Sequence, residues 1–270
     1  MQETMLRLAK FVDEKRFGKY RGTVTDNRDK QHRGRLKLLI PSVLGEKETD
    51  WVLPCLPHGG SAGHGMFTVP EIHAQVWVEF EEGDIHRPIW VGTFWQQKDD
   101  VPKEAAKDEP TTWLLKTKGG HILQFDDKEG EERLYLYHPK KASLEIDKKG
   151  VVALTDAKGG KLTLDADAGK IVVQDTNGNT LTMSSSGTVV EDGNGNKVEM
   201  SSSGVNVKGQ QIVVEGTQVM LGGQGGEPVI KGQSFLTLFM THVHPTGVGP
   251  SGPPVPQGEM SSLSTKVLSA

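Results

Sequence analysis

A degenerate repeat of glycine-led strand segments in the second half of the chain constrains the fold more than any other feature. Short alternating segments begin with Gly-Gly or Gly-Asn, and the leading glycines are Gly119, Gly159, Gly178 and Gly195. Their spacings are 40, 19 and 17 residues. A second series interleaves with the first, at Gly169, Gly187 and Gly204. A repeat of roughly 17–20 residues predicts a stack of similar strand units.

These strands carry little apolar material, as does the whole chain, of which only 35% is hydrophobic. Strand side chains alternate between faces, so each strand offers about two core residues on one face. The pairs are Leu162 with Leu164, Leu181 with Met183, Val198 with Met200, Val205 with Val207, and Ile212 with Val214. A one-sided sheet needs a partner layer, which no other segment supplies. We therefore expect several copies to wrap their apolar faces around a shared axis, where threefold symmetry would close a narrow prism. The residues alone establish the need for a partner and leave the number three open.

The first 100 residues have a different pattern. Met5, Leu8, Ala9 and Val12 have helical spacing and predict a short N-terminal helix in residues 1–19. Five short apolar runs follow between Tyr20 and Trp95, separated by Gly, Pro, Asp and Asn. Their number and length predict a five-stranded OB-fold barrel over residues 20–97.

The remaining segments complete the predicted domain organisation. Residues 98–112 are polar and proline-containing and are interpreted as a connector, and residues 113–233 as the strand repeat. The C-terminal segment 234–270 begins with helical spacing of Phe235, Leu238, Phe239 and His242. Pro245 stops that helix and a Gly/Pro-rich stretch follows.

Composition excludes several classes of protein. No window approaches the ~18 apolar residues of a membrane-spanning helix, and the N-terminus lacks the apolar core of a secretory signal peptide. Cys55 is the single cysteine, which rules out an intrachain disulfide and a cysteine zinc cluster. The net charge of -4 argues against a generally basic nucleic-acid-binding protein. Residues 1–40 nevertheless carry eleven Lys or Arg against five Asp or Glu, which indicates a basic docking face or simply a solvated helix and strand.

Four blocks in the first half carry a family resemblance: GKYRGTVTDN, GRLKLLIPSVLGE, TDWVLPCLPHGG and VWVEFEEGDIHRPIWVGTFW. Together they span Gly18 to Trp95 and resemble the phage baseplate assembly protein V family. That family includes the spikes of contractile phage tails, of type VI secretion (VgrG) and of extracellular contractile injection systems. The resemblance implies an all-β chain, with an OB-fold followed by a trimeric triple-stranded β-helix needle.

The resemblance also implies a function. We expect a non-enzymatic central spike that docks to a baseplate hub protein under the tail tube and is driven through the target cell envelope by sheath contraction. The expected partners are two further copies, a separate hub protein and a PAAR-type tip protein, without nucleic acid. The expected location is a virion tail baseplate or an extracellular injection particle assembled from protein made in the cytoplasm. The alternative is an OB-fold nucleic-acid-binding protein with a β-rich tail.

Two motifs suggest other chemistry. GGSAG at 59–63 matches a nucleophile elbow with Ser61 central and His58 and His64 beside it, but the following GHGMFTVP does not favour the helix that an elbow needs. DTNGN at 175–179 and DGNGN at 192–196 place Asp and Asn at alternate positions, as in a calcium loop. Asn-Gly between short strands favours hairpin turns instead.

His242 and His244 are the candidate metal ligands. On a strand, residues i and i+2 point the same way, so one chain would offer two imidazoles to one ion. Three chains would offer six nitrogens, a set suited to an octahedral iron site on the trimer axis, as some spikes of this family carry. The predicted helical turn before them and the proline-rich loop after them favour ordinary loop histidines.

Tryptophans provide the main basis for the nucleic-acid alternative. Trp77, Trp90 and Trp95 could stack on bases, as aromatic side chains do in many OB-folds. Trp77 and Trp90, however, lie in Val- and Ile-rich strands, which predicts that they belong to the barrel core.

Overall fold

The computed structural model describes residues 4–5, 7, 9, 11–12, 15–220 and 230–255. The chain is mostly β, as predicted, and divides into two compact units, residues 1–207 and 208–270. The described positions between 4 and 12 are helical, in agreement with the predicted N-terminal helix. Leu8, which belongs to that helical pattern, and the end of the predicted tip, residues 256–270, lie outside the described residues.

The five apolar runs of the first half form five strands. They are β1 Tyr20–Asp26, β2 Lys37–Leu39, β3 Leu53–Pro54, β4 Gln75–Phe80 and β5 Pro88–Thr93. The hydrogen-bonded order is β2-β1-β4-β5-β3, with β3 parallel to β5 and the other pairs antiparallel. Single bridges from Leu36 to Val52 and from Leu39 to Glu48 join β2 to the segment before β3. These bridges complete an OB-like ring of strands.

The ring encloses the main hydrophobic core. Nine of the eleven buried hydrophobic side chains among the described residues line it: Val24, Leu36, Leu38, Ile40, Val52, Val76, Val78, Phe80 and Trp90. A short helix, Pro41–Leu44, and 3-10 turns at Glu81–Gly83 and Lys98–Asp100 connect or follow the strands. Trp90 is only 5% exposed, and its indole N–H donates to the Gly34 carbonyl at 3.2 Å, which satisfies its polar atom inside the core.

The second half of the first unit is one sheet of eleven antiparallel strands in sequence order. The strands are β6 Thr112–Lys116, β7 Ile122–Asp126, β8 Arg133–Tyr137, β9 Ser143–Ile146, β10 Val152–Thr155, β11 Lys161–Asp165, β12 Lys170–Gln174, β13 Thr180–Ser184, β14 Gly187–Glu191, β15 Lys197–Ser201 and β16 Gly204–Lys208. The predicted strand pair Ile212 and Val214 is wrong, because residues 209–220 contain no strand. The predicted domain limits stay predictions.

The second unit contains a helix, Gly232–Thr241, and a minimal hairpin, β17 Pro245–Thr246 and β18 Gly249–Pro250. The helix follows the spacing of Phe235, Leu238 and Phe239, as predicted. It ends where His242 leaves helical geometry. Pro245 then lies in an extended strand, a conformation that the pyrrolidine ring favours.

Candidate assembly surface

Two uninterrupted rows of side chains run across one face of the eleven-stranded sheet. Directly opposed residues in antiparallel strands share a face, so the register defines each row. The first row is Leu115, Leu123, Leu136, Leu144, Leu154, Leu162, Val173, Leu181, Val190 and Val198. The second is Trp113, Phe125, Leu134, Ile146, Val152, Leu164, Ile171, Met183, Thr188 and Met200. We call these two rows the apolar face.

The apolar face is open to solvent in the single chain. Leu115 is 47% exposed, Val190 47% and Met200 43%. Between Val152, Leu164, Ile171 and Met183 the face forms an open concavity of about 620 Å³. Contiguous exposed apolar surface of this extent is rare on soluble monomers and marks an interaction site.

The other face of the sheet is mixed. The central residues of the strands from β7 to β11 are Gln124, Tyr135, Glu145, Ala153 and Thr163, each opposite the next. A sheet with one apolar and one mixed face is expected to bury the apolar one against another layer.

Sequence reasoning found only part of the apolar face. The predicted pairs on β11, β13 and β15 all lie on it, so those predictions are confirmed. The contributions of β6 to β10 and of Ile171 and Val173 were missed. The signal was present as alternation in ILQFD, RLYLY and SLEI. RLYLY and SLEI lack the leading Gly-Gly or Gly-Asn pair on which the repeat was recognised, and ILQFD has that pair at Gly119 and Gly120.

Turn geometry explains the uneven glycine spacing. The turns after β6, β8, β10, β12 and β14 each close with a bond from the amide of the first residue to the carbonyl of the fifth, starting at Thr117, His138, Asp156, Asp175 and Asp192. The fourth residue has positive φ in all five: Gly120, Lys141, Gly159, Gly178 and Gly195. The 40-residue gap therefore contains a regular turn in which Lys141 adopts the left-handed conformation usually taken by glycine.

The Asp-Asn motifs are turns, as predicted. Asp175 Oδ1 accepts the amides of Asn177 and Asn179 at 2.8 and 2.9 Å, and Asp192 makes the same pair of bonds within its own turn. Hydrogen bonds from Asn179, first its side chain and then its amide, hold the pKa of Asp175 below its ordinary value. Because backbone N–H groups already occupy Oδ1, the carboxylate has a structural role in the turn.

A buried acidic cluster anchors the connector to the first strands of the sheet. Asp126 is 5% exposed and accepts hydrogen bonds from Lys107 at 2.8 Å, Thr112 at 2.6 Å, Gln124 at 2.7 Å and Arg133 at 2.8 Å. Burial opposes ionisation of Asp126, but these four donors together outweigh it and hold the pKa well below its usual range. Glu104 and Lys116 form a second pair at 2.7 Å. The connector is therefore packed against the sheet.

The barrel has an equivalent cluster in the loop between β1 and β2. Asp29 is buried and accepts the Arg35 guanidinium at 2.6 Å and the amides of Gln31 and Arg33 at 2.9 Å each. The Arg35 hydrogen bond is the main cause that holds the pKa of Asp29 well below its usual range. Both clusters are structural, since each carboxylate is fully occupied by donors of its own chain.

The predicted metal ligands lie together at the end of the helix in the second unit. The Nε2 atoms of His242 and His244 are 3.2 Å apart; His242 is half-buried and His244 is exposed. Two imidazole nitrogens bound side by side to one ion at ~2.0–2.1 Å stand about 3 Å apart, so the spacing fits such a pair. Among the described residues no group of three or more His, Cys, Asp or Glu could hold a metal ion. A complete site on this pair would need donors from outside the described residues of one chain.

Ser61 and His64 are in contact, but not in an elbow. Ser61 Oγ lies 3.1 Å from His64 Nε2 on an exposed loop, and His64 Nδ1 faces the Ala62 carbonyl at 3.3 Å. No helix follows Ser61, and a carbonyl replaces the carboxylate that would orient a catalytic base. The geometry supports the interpretation of GGSAG as a glycine-rich barrel loop.

The tryptophans separate into different environments. Trp90 lies in the core as predicted, whereas the prediction for Trp77 is wrong, because Trp77 points away from the core face formed by Val76 and Val78. Its ring packs on Phe94 with centroids 4.7 Å apart, and Arg21 covers both rings. Trp95 is 63% exposed. Strand alternation, which places neighbours on opposite faces, was the signal that separates Trp77 from Val76.

The described residues contain no helix with the length and hydrophobicity needed to cross a bilayer.

Comparison with known proteins supports the resemblance noted in the sequence. Residues 20–95 match the family model described as the type VI secretion system/phage-baseplate injector OB domain. The type VI secretion system spike protein VgrG3 of Vibrio cholerae is 30% identical over 116 residues, which cover 40% of this chain and 11% of that protein. The type VI secretion system spike protein VgrG1c of Pseudomonas aeruginosa is 30% identical over 90 residues, covering 31% of this chain and 12% of that protein.

One further relative carries a name with an activity. The actin cross-linking toxin VgrG1 of Vibrio cholerae is 30% identical over 116 residues, or 40% of this chain and 10% of that protein. The chain thus matches about a tenth of the length of these relatives. It carries the injector OB domain over residues 20–95 and is similar to VgrG spike proteins.

Proposed function

We propose that the protein is the central spike of a contractile injection machine, a phage tail or a related secretion apparatus, and that it acts as a homotrimer. The observation that carries the proposal is the apolar face, which is two rows wide, is open to solvent and follows an injector OB domain in the chain. Each Å² of apolar surface removed from water stabilises an assembly by ~25 cal/mol. Closing three such sheets around a common axis would therefore be strongly favourable.

The chain enters the barrel near the C-terminal end of β4 and leaves it near the N-terminal end of β4. The chain enters β1 at Tyr20, opposite Val78, and leaves β5 at Thr93, opposite Val76. At the entry end, the backbone amide of Arg16 donates a hydrogen bond to the Gly83 carbonyl. The exposed residues Phe11 and Val12 precede it in the chain. In our proposal the entry end docks to a hub protein, while the sheet leaves from the other end as the needle.

Mechanical stiffness would follow from the trimeric sheet. Every strand from β7 to β15 is hydrogen-bonded on both sides within the chain, and closing the prism would bury the remaining apolar face. Sheath contraction would then push a rigid body through the target envelope. No bond is broken in this mechanism, so we assign no catalytic residue. The protein would be found in a tail baseplate or an injection particle, with a PAAR-type protein as a candidate at the tip.

His242 and His244 are proposed as the two ligands that each chain would offer to an iron ion on the axis. Iron bound there would crosslink three C-terminal segments. Quantification of metal in the purified oligomer tests this point: one ion per three chains supports it, and a metal-free oligomer overturns it.

The decisive experiment for the proposed function is the absolute mass in solution by light scattering. A homotrimer has three times the chain mass of 29.4 kDa. A folded, cooperatively melting monomer at micromolar concentration would overturn the proposal. Gel-shift binding of nucleic acid at physiological salt would instead favour the nucleic-acid-binding alternative.

A further inference from the structure

We propose that neighbouring copies in the trimer contact each other through oppositely charged hairpin turns at the borders of their sheets. The contact joins an acidic turn, residues 127–132, to a basic turn patch formed by Lys118, His121, His138, Lys140 and Lys141. This inference rests on the proposed trimer and names the surfaces through which its copies meet at the sheet borders.

The two elements lie on opposite borders of the same sheet. In an antiparallel meander the turns after β6 and β8 are on one border, and the turns after β7 and β9 are on the other. The basic turn patch belongs to the first border and the acidic turn to the second. A prism made of three identical sheets brings the first border of each copy against the second border of the next, which is a heterologous contact that closes into a ring.

The charges on the two borders are opposite near the start of the sheet. The acidic turn contains Asp127, Glu129, Glu131 and Glu132 against Lys128 alone. Lys128 is paired with Glu131 at 2.6 Å, while Asp127 and Glu129 form no ion pair with the part of the chain that the structure describes. The first border carries Lys118, Lys140 and Lys141 in its first two turns, without an acidic residue.

Two of the three lysines of the basic turn patch are available for a neighbour. Lys118 is paired with Glu71 of its own chain at 3.0 Å. Lys140 and Lys141 have no ion pair among the residues described, and Lys141 adopts the left-handed conformation in its turn. The rings of His121 and His138 pack edge to face with centroids 4.9 Å apart, which brings the two turns together.

The heights of the turns also match. A threefold axis involves no translation along itself, so each turn of one copy faces the same level of the next. The acidic turn lies at the level between β7 and β8, and the two turns of the basic patch lie one strand before and one strand after that level. The acidic turn of one copy therefore fits between the two basic turns of its neighbour.

The next turn of the second border, residues 147–151, does not upset this match. Its Lys149 is paired with Asp167 at 2.7 Å along its own border. Its Lys148 donates to the Gly130 carbonyl at 2.8 Å, within the acidic turn itself. Both lysines therefore face their own copy, and the free charge on this border near the sheet start is negative.

Cysteine crosslinking tests the contact directly. With the single native cysteine removed (Cys55→Ser), we expect the Glu129→Cys/Lys140→Cys variant to form disulfide-linked dimers and closed trimers on mild oxidation. Glu129→Cys or Lys140→Cys alone should give only monomers on a denaturing gel, because a heterologous contact never places two copies of one residue together. Failure of the double variant to crosslink, or crosslinking of a single variant, overturns the inference.

Charge exchange supplies an independent measurement. We expect Lys140→Glu/Lys141→Glu, and separately Asp127→Lys/Glu129→Lys, to raise the concentration of half-dissociation of the oligomer by about tenfold at low salt. The variant with all four changes should recover to within about threefold of the original protein. Lys47→Glu/Lys103→Glu, with the same charge change at exposed positions outside these turns, is the matched control.

These measurements separate the two proposals. If the original protein is a monomer by light scattering, the proposed trimer fails before any variant is examined. If it is a trimer and the charge reversals act no differently from the control, or the four-change variant does not recover, the turn contact is wrong while the trimer stands.

Discussion

The barrel and the eleven-stranded sheet are both built from short β-strands, yet they solve the burial problem in opposite ways. The barrel closes on itself and places nine hydrophobic side chains in one core. In the sheet, the only buried hydrophobic side chain among the described residues is Ile122, and the apolar face stays open. The barrel completes its core within a single chain, whereas the sheet leaves its apolar face exposed.

The difference lies in strand topology as much as in composition. The barrel strands pair out of sequence order, and the parallel pair β3 and β5 brings distant segments around a common interior. The sheet strands pair only with their neighbours in sequence, through turns of a few residues. This meander stays open in the single chain and leaves its apolar face exposed, so its hydrophobic rows need an external layer.

The largest expected effect comes from a charge on the apolar face. Leu181→Asp, like Leu162→Asp, should abolish the oligomer, because three unpaired carboxylates would be buried close together. Thr182→Asp, one residue away on the opposite face, is the control. Light scattering measures the mass, and hydrogen exchange of barrel peptides should be the same in both variants. A Leu181→Asp protein of unchanged mass would show that this side chain does not face other copies.

A core truncation in the barrel should act without regard to assembly. Leu38 is fully buried, so Leu38→Ala should lower the free energy of unfolding by about 2–5 kcal/mol. The loss should be independent of protein concentration, in contrast to any loss from the apolar face. Chemical denaturation followed at two protein concentrations distinguishes them; a concentration-dependent loss for Leu38→Ala would contradict the view that the barrel is complete in one chain.

A glycine change tests how closely the turns of the sheet stack. A Cβ on Gly193 would lie 2.3 Å from the Asn177 carbonyl oxygen, whereas a Cβ on Gly119 would meet nothing closer than 3.5 Å. Gly193→Ala should therefore cost about 1–3 kcal/mol and Gly119→Ala well under that. Thermal melting of the two variants gives the comparison. Equal midpoints would show that the turns separate without cost.

The smallest effect on stability is expected from lowering the pH. The folded-state pKa values of Asp29 and Asp126 lie below the ~3.9 of an unfolded aspartate, so the unfolded chain binds more protons near pH 4. The stability that they contribute is present above about pH 5 and is lost as pH falls below 4. In the Asp126→Asn variant, hydrogen-exchange protection of β6 to β8 should depend less on pH in the acid range than in the original protein, with the barrel unchanged. The Asp29→Asn variant should show this effect in the barrel only. Loss of protection in both regions from one variant would show that they unfold together.

The barrel was predictable because strand patterns and turn residues act locally. All five strands occur in the predicted runs, and Trp90 lies in the core as expected. Trp77 was assigned to the core from its Val-rich surroundings, although alternation within β4 places it outside. The two short bridges that close the ring, at Val52 and Glu48, carry no sequence signal of their own.

The sheet was predictable in kind but not in extent. Asn-Gly turns identified β12 to β15, since they require a positive φ that glycine supplies at little cost. The turn at His138 to Ala142 was invisible, because Lys141 adopts positive φ where no glycine marks the position. Likewise, the connector was assigned as polar chain, and only the packed structure shows that Lys107 reaches the buried Asp126.

The amino-acid sequence by itself determined that this chain is a barrel followed by glycine-punctuated strands with too little apolar material to fold inward. These properties are set by local backbone preferences and by alternation along each strand. Only the tertiary structure decided that one hydrophobic row aligns without a break across ten strands, that a second is interrupted only at Thr188, and that opposite charges fall on opposite borders. Register between strands and the position of each turn along the sheet depend on hydrogen bonding between segments, which a linear pattern does not contain.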